Sequence, residues 1–252
     1  MRYTGMRGSC DHGNGMIGVC IVHFNTPDLT SACVKSVVKS TPSVSRITVF
    51  DNSDHLPFVI PEGLGNLVRV LDNTGGNLVD LDRMVSERKG KRPERGTANY
   101  GSARHCRSVQ WLIDNSDDPF VLLDSDVLCK SDMSVMVSES HAWVGECSSE
   151  YSEDYGLKPT RILPFACYIN VPMVKNAGAR YFNEDFMWRF SEDEYGSNCD
   201  TGAWFYRDCE ERGLDGKRLE SLDQYIVHYG SASYRKRMSF HAWIEMNRRL
   251  WE

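Results

Sequence analysis

Several features typical of other protein classes are missing from this sequence of 252 residues. No apolar run is longer than a β-strand, so we expect no membrane-spanning helix. The first 15 residues lack the apolar core of a signal peptide, and we expect a flexible lead-in there. The formal net charge of −6 argues against nonspecific nucleic-acid binding.

A zinc-binding pattern is also missing. The chain has nine cysteines, but no Cys-x-x-Cys pair occurs. Their number is odd, and Cys20, Cys33 and Cys167 lie within apolar runs. Buried free thiols in a reducing cytoplasm explain this pattern best.

The composition is that of an ordinary globular protein, with 41% hydrophobic and 25% charged residues. Apolar runs at 17–22, 47–50 and 67–71 predict strands, and helical spacing predicts a helix over 29–39. This β-α-β order predicts an α/β fold whose sheet is mostly parallel, with helices on both faces. We expect a single domain spanning 1–252.

Further segments are predicted from the same patterns. Residues 73–99 and 154–166 are expected to be irregular. A helix from about 102 should lead into a strand at 120, with further strands at 168–171 and 225–228. Asp200 is expected to cap a helix over 201–212 that stops at Gly213, and a closing helix is expected over 240–251.

The run from Phe120 to Leu128 carries the clearest chemical signal. Four apolar residues predict a buried strand, and Asp124, Ser125 and Asp126 follow it. Ligands of open α/β sheets bind beyond the carboxyl ends of strands, where paired carboxylates suit a divalent cation that holds a diphosphate. A solvated turn capped by aspartate is the alternative.

Five short sequences occur in a fixed order along the chain: Val-His-Phe-Asn-Thr-Pro at 22–27, Val-Phe-Asp-Asn-Ser at 49–53, Leu-Leu-Asp-Ser-Asp at 122–126, Asp-Thr-Gly at 200–202 and His-Tyr-Gly-Ser at 228–231. Together they resemble the GT-A fold of nucleotide-sugar glycosyltransferases, especially the family 2 group, over about residues 17–234. The resemblance divides the domain into a nucleotide-binding half at about 16–130 and an acceptor half with the closing helix at about 131–252.

The resemblance implies a cation that bridges the donor diphosphate and stabilises its charge as the sugar leaves. Asp126 would bind the cation directly, whereas Asp124 would bind it directly, through water, or contact the donor's ribose and sugar. His228 would add a nitrogen ligand, which favours Mn²⁺ over Mg²⁺. A histidine packed at a strand end is the alternative for His228.

The resemblance also implies contacts with the nucleotide. Asp51 would accept the uracil imide N–H, although an Asx turn after the strand explains it equally well. Asn25, Ser125 and His105 would lie along the donor, with simple turn or packing roles as alternatives. Arg235, or its neighbours Lys236 and Arg237, would fold over the diphosphate, unless they belong to a solvated basic tail.

Asp200 is the expected general base of an inverting transfer, because the family's acidic residue at the start of this helix takes the acceptor proton. Cys199 stands where a glutamate is commoner, so the acidic residues at 192–194 remain alternatives.

The sequence therefore predicts a cytoplasmic, metal-dependent glycosyltransferase. It would move a sugar from a UDP-sugar or related donor to a glycan or glycolipid acceptor in surface polysaccharide synthesis. Contact with the inner face of the membrane is left open. The alternatives are a haloacid dehalogenase-type phosphatase, which lacks support because Leu128 replaces the expected Thr or Val, and a non-catalytic module that binds sugar nucleotides or glycans.

Overall fold

The computed structural model describes residues 16–87, 98–148, 151–152, 156–157, 160–184, 201–229 and 239–252. A seven-stranded sheet forms its centre, in the order β10-β6-β9-β4-β1-β2-β3. All of its strands run parallel except β9, which is antiparallel to both neighbours. Two further sheets of two strands each pair β5 with β11 and β7 with β8. In chain order, the described strands are β1 Ile17–His23, β2 Val44–Asp51, β3 Val68–Asp72, β4 Phe120–Asp124, β5 Val127–Cys129, β6 Trp143–Ser148, β7 Tyr151–Ser152, β8 Gly156–Leu157, β9 Arg161–Ile169, β10 Gly216–Leu219 and β11 Ile226–His228.

Helices cover both faces of this sheet, as predicted. Along β1, Val19 and Ile21 pack with the first helix on one face, whereas Cys20 and Val22 pack with the third helix on the other. This alternation follows from the two-residue period of a strand. The helices are α1 Pro27–Ser40, α2 Leu81–Glu87, α3 Ala98–Asp114, α4 Val171–Ala177, α5 Ala203–Glu211 and α6 Phe240–Met246.

Parts of the two segments expected to be irregular are regular instead. Residues 81–87 form α2, and β9 begins at Arg161 although Pro164 lies within it. A register shift interrupts the pairing of β6 with β9 beyond Ile162, and the pairing of β4 with β9 begins only at Ala166. The missing N–H of Pro164 therefore falls outside both ladders, where proline is tolerated. The strand predicted over 168–171 ends early, because α4 begins at Val171.

Helix α5 begins later than predicted. Its N-cap is Gly202, with φ of 84°, rather than Asp200. A Cβ at this position would lie 2.1 Å from the carbonyl oxygen of Ile162 in β9, so only glycine allows this approach. The predicted stop is confirmed, because Arg212 is the C-cap and Gly213 has a positive φ of 67°.

The closing helix packs on the body of the fold. Trp243 and Ile244 of α6 are buried against Leu29 and Ala32 of α1. The side-chain amine of Lys39 donates a hydrogen bond of 2.6 Å to the carbonyl oxygen of Arg249. No helix in the described ranges is both long and apolar enough to cross a membrane.

Candidate metal and nucleotide site

Two distant parts of the chain meet at the carboxyl edge of the sheet. Ligand atoms of Asp124, Asp126 and His228 all lie within 4.8 Å of one another. Strand β4 ends at Asp124, the chain turns, and β5 pairs with β11 in antiparallel register, with His228 opposite Val127. The N–H of Tyr229 donates to the carbonyl oxygen of Asp126 at 3.0 Å. Backbone pairing therefore fixes His228 beside the Asp-x-Asp turn.

His228 faces Asp126 directly, with its Nε2 3.3 Å from the Oδ1 of Asp126. Burial lowers the pKa of His228, but the hydrogen bond with Asp126 and the charges of Asp126 and Asp124 outweigh burial and raise that pKa above its usual value. The imidazole also stacks on Phe165 of β9, with ring centroids 4.2 Å apart and an interplanar angle of 24°.

Asp124 has a different histidine neighbour. The Nε2 of His105, on α3, lies 3.0 Å from its Oδ1. Burial raises the pKa of Asp124, but the proximity of His105 and the charges of His228 and Arg161 have the larger effect, so the pKa of Asp124 lies below its usual value. The basic side chains around Asp124 therefore favour its carboxylate form.

The donor set fits a divalent cation. Carboxylate oxygens suit Mg²⁺ and Mn²⁺, and one imidazole shifts the preference toward Mn²⁺. Two ligand atoms about 2.1 Å from one cation and at right angles to each other are about 3 Å apart. The 3.3 Å between His228 and Asp126 is close to that spacing. Asp124, Asp126 and His228 could thus hold such an ion with little rearrangement.

Asn25 lies at the end of β1 and organises the loop after β2. It has a positive φ of 52°. Its side-chain oxygen accepts hydrogen bonds of 3.0–3.2 Å from the N–H groups of Asp54, His55 and Leu56, and its own N–H donates to the hydroxyl of Ser53. Asn25 therefore has a clear role in shaping the loop that borders the site.

Asp51 serves the same loop. Its two carboxylate oxygens accept from the N–H groups of Ser53 at 2.9 Å and Phe58 at 2.8 Å. The bond to Ser53 is the Asx turn weighed from the sequence. Because Asp51 is only 2% exposed, this conformation leaves almost no surface for the predicted contact with uracil.

Helix α1 begins next to the Asp-x-Asp turn. The hydroxyl oxygens of Thr26, its N-cap, and Ser125 are 3.2 Å apart. The cap's side chain makes no hydrogen bond to the first turn of the helix. The partial positive charge at this end of a 14-residue helix therefore lies beside the candidate cation site, where it favours an anion.

Phe24 and Arg104 were not singled out individually from the sequence, although Phe24 lies in the segment 22–27 that carries the resemblance and Arg104 lies beside His105, where the family contacts the donor. Phe24 is 45% exposed at the end of β1. The guanidinium of Arg104 lies 5.1 Å from the centre of its ring and 3.2 Å from Asp54. Arg104 precedes His105 on α3, so helical geometry directs these neighbours to different parts of the site. Only their adjacency to residues already singled out could have indicated this.

Two predicted site residues, Asp200 and Arg235, lie outside the described residues, as do the acidic alternatives at 192–194. The nearest described residue to Asp200 in sequence is Thr201, which is buried beside Gly202 at the start of α5. The general base and the arginine clamp therefore remain predictions.

Comparison with known proteins connects this architecture to glycosyltransferases. No family model matches the chain. No curated protein matches it either. In structure, the chain is similar to the apo form of the glycosyltransferase GlyE from Streptococcus pneumoniae TIGR4, with 12% identity and a TM-score of 0.51 over 91% of this chain and 59% of that one.

Two further solved structures are similar at lower scores. The bifunctional glycosyltransferase WbbM matches 81% of this chain and 38% of its own, with 12% identity and a TM-score of 0.45. The galactosyltransferase LgtC, in complex with donor and acceptor sugar analogues, matches 64% and 60%, with 12% identity and a TM-score of 0.42. The chain thus spans between 38% and 60% of the length of these three proteins. The likeness to GlyE confirms that this chain has the GT-A-like fold of a glycosyltransferase.

Proposed function

We propose that this chain is a metal-dependent glycosyltransferase that moves a sugar from a nucleoside diphosphate sugar, most simply a UDP-sugar, to a saccharide or lipid-linked acceptor. The observation that carries the proposal is the meeting of Asp124, Asp126 and His228 at the carboxyl edge of a GT-A-like sheet. This edge is where open α/β sheets bind their ligands.

Each residue of this group has a distinct part in the proposal. Asp126 and His228 would hold a cation between them, and Asp124 would bind it directly or through water. A bound Mn²⁺ or Mg²⁺ would stabilise the negative charge that develops on the departing diphosphate. The start of α1 at Thr26 adds a second attraction for that anion.

The residues around this group would position the sugar nucleotide relative to the cation. His105 holds Asp124 from the side of α3 at 3.0 Å, which leaves the other carboxylate oxygen available to the cation or the donor. The loop shaped by Asn25 and Asp51 would border the nucleotide rather than bind it through the Asp51 carboxylate. Arg235 is proposed as a cation that closes over the diphosphate.

Inversion requires a base on the acceptor side of the sugar. We propose Asp200 for this role, since it lies two residues before Gly202, which approaches Ile162 of β9. Its carboxylate would take the proton from the acceptor hydroxyl as the sugar is attacked from the face opposite the diphosphate.

The test is hydrolysis of nucleotide sugars by the purified chain, with Mn²⁺ added and then removed by chelation. We expect slow release of UDP from one UDP-sugar that requires the metal. In Asp126→Ala, release should fall by about 100-fold or more, because a direct ligand is lost. Asp223→Ala, which removes an exposed aspartate near β11, is the matched control and should retain activity.

Three other outcomes would contradict the proposal. Hydrolysis that does not depend on Mn²⁺ or Mg²⁺ would exclude the metal-dependent mechanism. Rapid release of phosphate from an aryl phosphate with magnesium, without action on nucleotide sugars, would favour the phosphatase. Calorimetric binding of a nucleotide sugar without any turnover, also with candidate acceptors present, would favour a binding module.

A further inference from the structure

Among the described residues, His228 shows no second hydrogen bond of the kind that usually orients a metal-binding histidine. Such a histidine ordinarily donates its second ring N–H to a carboxylate or carbonyl group, which fixes the plane of the ring. Within the described ranges, no hydrogen bond is found at the Nδ1 of His228. Its other ring nitrogen, Nε2, contacts Asp126. Within these ranges, the other contact that can restrain the imidazole plane is ring stacking.

The flat face of Phe165 meets that requirement. Its ring lies nearly parallel to the imidazole of His228, with 4.2 Å between centroids. Parallel contact restricts rotation of the imidazole about its Cβ–Cγ bond, because rotation would drive the ring edge into Phe165. A leucine of similar volume would fill the space without presenting a flat surface.

The register of the sheet explains how Phe165 reaches the site. Ala166 of β9 pairs with Leu123 of β4, so the antiparallel register places Phe165 level with Asp124. Phe165 also packs against the apolar cluster that contains Val127 and Ile226, the strand residues next to the metal group. Its ring is thus held by the core and is not a freely moving surface group.

We propose that Phe165 is a positioning residue for His228 and keeps the imidazole plane aligned so that Nε2 faces the cation. The proposal rests on the proposed function in one respect, because it takes His228 to be a metal ligand. It goes further by assigning part of the metal affinity to an apolar side chain that cannot bind a metal itself.

Metal affinity, measured without substrate, provides the test. Free Mn²⁺ is titrated against the purified protein and followed by electron paramagnetic resonance. Loss of a partner that orients a ligand typically weakens metal affinity by about 10-fold to 100-fold, so we expect about a 10-fold loss for Phe165→Leu. Phe165→Tyr keeps the flat face and should bind Mn²⁺ nearly as well as the original protein.

A double-mutant cycle separates positioning from packing. In a His228→Ala background, Phe165→Leu should cause no further loss of Mn²⁺ affinity, because the residue through which it acts is gone. If Phe165→Leu weakens affinity equally in both backgrounds, or does not weaken it at all, the positioning role is overturned. Leu163→Ala, a truncation on the same strand, is the control and should leave Mn²⁺ affinity unchanged.

Failure of this inference differs from failure of the proposed function. If the original protein binds no Mn²⁺, or if His228→Ala binds it as tightly, the metal site itself is wrong and the positioning role falls with it. If His228→Ala weakens binding while the Phe165 variants do not, only the positioning role is wrong. Thermal unfolding of each variant, followed by circular dichroism, verifies that the compared proteins are folded.

Discussion

Asn73 provides a test of the buried hydrogen bonds that join the ends of β2 and β3 to helix α3 beside the site. It is only 1% exposed after β3, and its amide makes four hydrogen bonds. The side-chain oxygen accepts from the N–H groups of Leu78 and Val79, both at 2.9 Å. The amide nitrogen donates to the carbonyl oxygen of Val79 at 3.1 Å and to the side-chain oxygen of Asn52 at 2.8 Å. Asn73→Ala would leave these four partners without it.

The relay continues from Asn52 into helix α3. The amide nitrogen of Asn52 donates to the hydroxyl of Ser108 at 2.8 Å, and that hydroxyl donates to the carbonyl oxygen of Arg104 at 2.8 Å. Since His105 is the next residue of α3, the relay joins the ends of β2 and β3 to the helix that places His105 against Asp124. Substitution of Asn73 should therefore disturb the position of His105 in the site and also lower the stability of the fold.

The expected loss can be worked out from these bonds. Each intramolecular hydrogen bond contributes about 1 kcal/mol net, and a buried group left without a partner costs about 1–3 kcal/mol. Water entering the space would satisfy some of the four partners. We therefore expect Asn73→Ala to lower the free energy of unfolding by about 3–5 kcal/mol, measured by urea denaturation with circular dichroism.

A control in the same turn isolates the effect of burial. Asn77 is exposed and shows no side-chain hydrogen bond within the described part of the chain, so Asn77→Ala should change stability by less than about 0.5 kcal/mol. If Asn73→Ala loses less than about 1 kcal/mol, the buried relay does not stabilise the fold and the reasoning from it is refuted.

Two further predictions concern the borders of the site. Gly202→Ala should lower the free energy of unfolding in urea by about 3 kcal/mol or more, since its Cβ would lie 2.1 Å from the carbonyl oxygen of Ile162. The control is Gly63→Ala, which has a similar φ of 81° but nothing within 4 Å of its Cβ and should lose only about 1 kcal/mol. Equal losses in the two variants would contradict the clash. Burial lowers the pKa of His23 from its usual 6.5, so His23 binds a proton more readily in the unfolded chain than in the folded one. The contribution of His23 to the free energy of unfolding should therefore fall as pH drops below about 6.5. In His23→Gln, this part of the pH dependence should disappear, and an unchanged pH profile of urea unfolding would contradict the assignment.

Much of the fold follows from apolar periodicity alone. The helix predicted from residue 102 buries Ala103, Cys106 and Val109 against the sheet, as expected, because a 3.6-residue period leaves few other arrangements. The part of β9 before residue 168 was missed because Pro164 argues against a strand when its neighbours are unknown. Only the three-dimensional register shows that the missing N–H lies outside both ladders.

The site could be predicted from the sequence only in part, because some of its contacts are local and others depend on long-range pairing. The sequence places Asp124 and Asp126 together, and family resemblance adds His228, which the structure brings to the same place. For Asp51, the local sequence fits an Asx turn and a base-binding carboxylate equally well, and only burial separates the two. Phe165 gave no signal at all, since an aromatic residue within a strand is ordinarily part of the core and its contact with His228 depends on long-range pairing.

The short ladder between β5 and β11 joins the metal group to the closing helix. On one side of the ladder, Val127 and Ile226 pack into the main apolar cluster under the sheet. On the other side, Leu128 is fully buried with Trp243 of α6, and Tyr229 meets the same tryptophan edge-on at 5.2 Å. The pairing of β5 with β11 is what places His228 beside Asp126. If the proposed cation binds these two residues, its binding and the packing of α6 would favour the same arrangement of the chain and would stabilise each other.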